Sequence, residues 1–113
     1  MEKFVLADVG STQLQISRDA AAGRSSATLL GGHDHALRQT VIAIVKGQVM
    51  QIHNGPVEAT LLLLTGSVGI ATDDEGIDLS PGDLLVLPSG PHTITARVDT
   101  TALLTVSKGD YPD

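Results

Sequence analysis

From His92 onward the chain alternates. His92, Ile94, Ala96 and Val98 fall on one parity, and Thr93, Thr95, Arg97 and Asp99 on the other. Successive side chains of a strand point to opposite faces, so this segment predicts a half-buried strand with His92 on its apolar side. Residues 59–65, ATLLLLT, follow a different rule. Ala59, Leu61 and Leu63 form one apolar face, and Leu62 and Leu64 make the opposite face apolar as well. A strand of that kind needs cover on both sides. One side would line the interior, and the other would meet a further layer or a second copy of the chain.

Turn residues divide the rest at short intervals: Gly31-Gly32, Gly47, Gly55-Pro56, Gly66, Gly76, Pro81-Gly82, Pro88, Gly90-Pro91 and Gly109. Between them lie short runs rich in Leu and β-branched residues, over 27–30, 37–45, 49–53, 59–72, 76–80, 83–88 and 92–107. Short strands at this spacing predict an all-β sandwich or barrel. No window shows a convincing amphipathic helix; SRDAAAG (17–23) reads as a single helical turn or a loop. TDDEGID (72–78) reads as a solvated hairpin loop in which Gly76 supplies a positive φ. Its four acidic residues also suggest a calcium loop, but the regular alternation of oxygen ligands is missing.

Composition narrows the function classes. The chain has 113 residues, 42% hydrophobic and 18% charged, which suits one soluble domain. Phe4 and Tyr111 are its only aromatic residues, so Leu, Val, Ile and Ala must build the core. A net charge of −6 and scattered basic residues speak against nucleic acid as a partner. No apolar run is long enough to span a bilayer, and no signal peptide is evident, so no membrane partner is expected. With no cysteine there is no disulfide, thiolate site or thiol nucleophile, which fits a cytoplasmic protein.

The punctuation carries a resemblance. Gly47, His53 and Gly66 in GQVMQIHNGPVEATLLLLTG, and Gly82, Pro88, Gly90 and His92 in GDLLVLPSGPH, fall into register with the two motifs of small single-domain cupins. The motifs cover about half the chain, and the runs on either side resemble the flanking strands of that family. The resemblance implies a double-stranded β-helix, or jelly-roll, barrel over residues 1–113, with 1–26 as an N-terminal extension with the first strands and 27–108 as the barrel core.

In metal-dependent cupins the motifs supply three histidines and a glutamate. Here Gly55 and Ala59 stand where the second histidine and the glutamate would be, and Ala96 replaces an asparagine. Two imidazoles, His53 and His92, make a weak site for iron, manganese, nickel or zinc. Gln51 shares parity with His53 and could add an amide oxygen. Glu58 adjoins the vacant carboxylate position but has the wrong parity unless a bulge turns it inward. His33 and His35, in GGHDHAL, have ligand-pair spacing, yet they follow two glycines and read as a polar loop.

The expected site is a small-molecule pocket lined by Met50, Ile52, Ala59, Leu61 and Leu63, with His53 and His92 as its polar points. Two alternatives remain open. One is a divalent-metal-dependent enzyme of the dioxygenase or isomerase type using His53 and His92, for which the sequence identifies no further catalytic group. The other is a structural module that dimerises through Leu62 and Leu64. A homodimer is expected in either case.

Overall fold

The computed structural model describes residues 1–53 and 58–108. A helix, α1 (Leu6–Asp19), precedes nine strands: β1 (Arg24–Leu30), β2 (Leu37–Ile44), β3 (Val49–Ile52), β4 (Ala59–Thr65), β5 (Val68–Ala71), β6 (Gly76–Leu79), β7 (Leu84–Val86), β8 (His92–Ala96) and β9 (Thr100–Ser107). The strands form two antiparallel sheets, one ordered β1-β2-β9-β4-β7 and the other β3-β8-β5-β6. The expected strand runs are all present. Two of them, 59–72 and 92–107, each break into two strands that belong to different sheets.

Those breaks are where the chain changes layers. Gly66 ends β4 with a φ of +96°, and a Cβ there would meet Thr100 Oγ1 and lie 2.5 Å from the Asp99 carbonyl oxygen. Only glycine suits both the backbone angle and the space. Val98 was expected to continue the buried face of His92, Ile94 and Ala96. Those three are 5%, 5% and 1% exposed, but Val98 is 43% exposed, because β8 stops at Ala96 and the chain bends over 97–99 toward the other sheet.

The inner faces meet in an aliphatic core of Ile42, Ile44, Leu61, Leu63 and Ala102 from the larger sheet and Val68, Ile70, Leu79, Ile94 and Ala96 from the smaller. Burying a residue such as Leu61 or Leu63 stabilises the fold by about 1.5–3 kcal/mol. Strand β2 is apolar on both faces: Ile42 and Ile44 join the core, and Val41 and Ala43, both 0% exposed, lie on the outer side, where α1 packs.

The helix corrects the reading of 17–23 as a lone turn or loop. Within α1, residues 6, 9, 10, 13, 14 and 17 are the ones withdrawn from solvent, a helical stripe in its spacing. Chemically that stripe is Leu, Val, Gly, Gln, Leu, Ser, so it does not read as apolar. Small residues are required because the helix lies close to the sheet: a Cβ on Gly10 would be 3.3 Å from Thr101 Cβ. Ser17 Oγ donates to the Leu14 carbonyl at 2.7 Å, and Ser25 Oγ donates to the Gln13 carbonyl at 2.6 Å, tying β1 to the helix.

Two loop expectations resolve differently. His33 and His35 are exposed in the loop joining β1 to β2, whose Gly31 and Gly32 carbonyls accept from Lys108 Nζ. The 72–75 turn is closed by Thr72, whose N–H donates to the Glu75 carbonyl at 2.8 Å and whose Oγ1 accepts from the N–H groups of Asp74 and Glu75. Gly76 opens β6 without the expected positive φ, because the threonine side chain supplies the turn.

Candidate functional site

The inner face of the larger sheet grades from polar to apolar. One cross-strand row runs Thr28 on β1, Thr40 on β2, Leu104 on β9 and Leu61 on β4. Next to it, Ser26 faces Ile42, and Arg24 faces Ile44. The hydroxyls of Thr28 and Thr40 are 3.3 Å apart and share a hydrogen bond. Arg24, Ser26, Thr28 and Arg38 are exposed. They border an open cleft of about 650 Å³ whose inner wall is Ile42, Met50, Leu104 and Val106.

Those four residues also belong to a second space. A cavity of about 70 Å³ lies between the sheets, bordered by Met50, Ile52, Ala59, Leu61 and His92 together with Ile42, Leu87, Ile94, Leu104 and Val106. Five of the seven residues expected to line a pocket therefore share one cavity. Leu63, at 0% exposure, is a core residue that does not border it.

Among the described residues, His92 is the one titratable residue bordering this cavity, and it contributes carbon to a wall that is wholly apolar. Strand β8 brings it opposite Ile52 on β3, and its side chain is buried with those of Ile94 and Ala96. Its Nδ1 lies 2.9 Å from the Gly90 carbonyl oxygen. A carbonyl only accepts, so Nδ1 carries the proton in this contact. No fully buried side-chain nitrogen or oxygen lacks a partner among the described residues.

His53 does not join the interior. It follows β3 and is exposed, with Gln51, while Met50 and Ile52 alternate inward. His53 and Gln51 instead border a shallow outer hollow of about 190 Å³, together with Thr72, Asp73, Thr93 and the rim of His92. Glu58 borders a different hollow, beside Leu37, Thr60, Val86, Thr105 and Ser107. The parity reasoning that placed Gln51 with His53 and Glu58 apart from them thus describes the backbone, but it is the outer face that the first two share. Among the described residues no three His, Asp or Glu side chains are grouped to hold a metal ion. The donor set does not fit the three-histidine, one-glutamate centre that the resemblance implies. Gly55, the position lacking a motif histidine, lies outside the described residues.

The residues missed at the sequence level are Arg24, Ser26, Thr28, Arg38, Thr40, Ile42, Leu104 and Val106. Their signal was present: Arg24, Ser26 and Thr28 share one parity, as do Arg38, Thr40 and Ile42. It needed the pairing of β1 with β2 to show that both parities open onto the same cleft.

Two antiparallel sheets around an aliphatic interior, with an opening on one side, define a jelly-roll barrel. Among solved structures the chain is similar to a conserved protein of unknown function from Streptococcus pyogenes, at 30% identity and a TM-score of 0.68 over 81% of this chain and 80% of that one. It is similar to a cupin superfamily protein from Desulfitobacterium hafniense at 22% identity and a TM-score of 0.66, over 74% of this chain and 76% of that one. It is also similar to a mutant of salicylate 1,2-dioxygenase from Pseudoaminobacter salicylatoxidans at 18% identity and a TM-score of 0.75, over 94% of this chain and 34% of that one. The chain folds as a small cupin domain. No protein-family model matches the sequence, and no curated protein matches it.

Proposed function

We propose that this cupin domain binds a small organic molecule and holds it without a metal ion. The observation that carries this reading is that Ile42, Met50, Leu104 and Val106 line both the 650 Å³ cleft and the apolar cavity at His92, so that the two spaces adjoin across these four side chains. An open, mostly aliphatic space with a few polar groups at its margins is the usual form of a small-molecule site. The cavity alone admits only the tip of a ligand; its body would lie in the cleft.

The metalloenzyme alternative draws on the likeness to the dioxygenase, which at 18% identity concerns the fold. The donor set counts against it, since among the described residues no three His, Asp or Glu side chains are grouped to hold an ion. The dimer expectation is supported by the uncovered outer face of the larger sheet, where Leu103, Leu62 and Leu84 form an apolar row across three strands.

The test uses N-phenylnaphthylamine, a neutral apolar dye that brightens on leaving water. The wild-type chain is expected to bind it saturably, and Met50→Trp, which puts a bulky ring into the shared wall, to lose that binding while melting as before. Saturable binding that survives Met50→Trp, or none in the wild type, would overturn the reading.

A further inference from the structure

The geometry points to a head-group site at Arg38, so that the ligand of this barrel is an amphipathic carboxylate, its acid group at Arg38 and the Thr28–Thr40 pair and its apolar body directed toward His92. This inference rests on the pocket reading above and adds the chemical class of the ligand and its orientation.

Partnering of the arginines is the first support. The chain has four, at positions 18, 24, 38 and 97. Arg18 pairs with Asp99 at 3.1 Å and Arg97 with Asp78 at 2.6 Å. These are the ion pairs among the described residues, so both remaining arginines, Arg24 and Arg38, border the cleft with no carboxylate partner there. None of the residues bordering the cleft is acidic. In a chain of net charge −6, a cleft with two unpaired guanidinium groups and no carboxylate concentrates a local field of the opposite sign, which attracts anions.

Position distinguishes the two arginines. Arg24 faces Ile44, and Arg38 lies six residues earlier on β2, about 20 Å away at the rise of a strand. Arg38 is paired across the sheet with Val106, which faces Ala59 in turn, and both of those border the inner cavity. Arg38 therefore stands at the end of the cleft nearest the apolar interior, one residue pair from the Thr28 and Thr40 hydroxyls. Gly31 leaves room for its side chain: a Cβ there would come within 3.3 Å of Arg38 Cγ and 3.5 Å of Nε.

The chemistry follows from the donors. A guanidinium presents parallel N–H groups that match the two oxygens of a carboxylate, and a hydroxyl pair beside it can donate one further hydrogen bond. Because Arg38 is exposed, its ion pair alone would be weak in water. Burial of the attached chain supplies the rest, at about 0.8 kcal/mol per methylene group withdrawn from water.

Octanoate and octanol, which share a chain and differ in the head, are titrated calorimetrically into the wild type, Arg38→Ala and Arg24→Ala. Octanoate is expected to bind the wild type saturably and Arg38→Ala at least about tenfold more weakly, which corresponds to about 1.4 kcal/mol. Arg24→Ala removes the same charge from the far end of the cleft and is expected to weaken octanoate by no more than ~threefold, since solvent screens a distant charge. Octanol is expected to bind all three proteins alike.

Equal weakening by the two variants would overturn the site, because a general field would then suffice. So would unchanged octanoate binding to Arg38→Ala, or octanol lost in step with octanoate. Octanol binding without octanoate would sink the head-group site and leave the pocket standing, whereas binding of neither would sink both.

Discussion

Asp99 and Arg18 join the helix to the barrel. Two N–H groups of Arg18, in the last turn of α1, donate to Asp99 Oδ2 at 3.1 and 3.3 Å, while Oδ1 accepts the Lys46 backbone N–H at 2.9 Å. One carboxylate in the bend between β8 and β9 thereby holds the end of the helix and the turn after β2.

These contacts make part of the stability depend on pH. The Lys46 N–H first, and then the Arg18 hydrogen bond, hold the Asp99 carboxyl below its ordinary value. A carboxyl with a depressed folded-state pKa stabilises the fold above its unfolded pKa, and that contribution is lost as pH falls through the folded one. Wild type is therefore expected to melt above Asp99→Asn at neutral pH, with the difference shrinking as pH falls below about 4. Melting curves across that range check this; a gap that stays constant with pH would show that Asp99 acts without its charge.

Gly66 and Gly82 separate crowding from backbone angle. Both have positive φ, +96° and +92°, but a Cβ at Gly66 would collide with Thr100 and the Asp99 carbonyl, whereas nothing lies within 4 Å of one at Gly82. Gly82→Ala is expected to cost only the backbone penalty, about 1–2 kcal/mol. Gly66→Ala is expected to cost about 3 kcal/mol or more, because the obstruction includes backbone that cannot rotate away. Denaturant unfolding measures both, and equal losses would mean that the β4–β5 turn shifts freely.

The strands were legible because their signal is local. Glycine and proline mark the turns, and the alternation in 92–96 and 59–65 names the buried faces correctly: His92, Ile94 and Ala96 in one strand, Ala59, Leu61 and Leu63 in the other. The helix was not legible, because its buried stripe is chosen for small size at Gly10 and Ser17 rather than for hydrophobicity. The site was legible in part. His92 shares its face with Ile94, so parity places it inside. His53 follows the last residue of β3, and Met50 and Ile52 face inward ahead of it, so the same parity argument sends its ring outward. Thr28, Arg38 and Thr40 come together only through the pairing of β1 with β2, which a single strand does not encode.

Leu84 and Leu62 test the dimer. They face each other across β7 and β4 on the outer side of the larger sheet, where Leu84 is 63% and Val86 75% exposed. Exposed apolar side chains gathered on one face mark an interaction surface. Sedimentation velocity is expected to find a wild-type dimer and a monomeric Leu84→Asp variant that melts within a few degrees of the wild type, since Leu84 is already largely solvated. A wild type that sediments as a monomer at high concentration would remove the dimer from consideration.

Metal content separates the two readings of the histidines. Coordination of iron, manganese, nickel or zinc by His53 and His92 needs both rings turned to one ion, but His53 is exposed past the end of β3, and His92 is buried with Nδ1 held by Gly90. Two imidazoles without a carboxylate also leave most of the coordination shell to water, which gives weak binding. Untagged protein, incubated with each metal and desalted, is expected to retain well below one ion per chain by plasma mass spectrometry. It should retain no more than a His53→Ala, His92→Ala double variant treated in the same way. A near-stoichiometric ion that disappears in the double variant would mean that the strand end carrying His53 turns inward when metal is present. In that event the cavity at His92 would become a metal centre, and the pocket reading would give way to the enzyme.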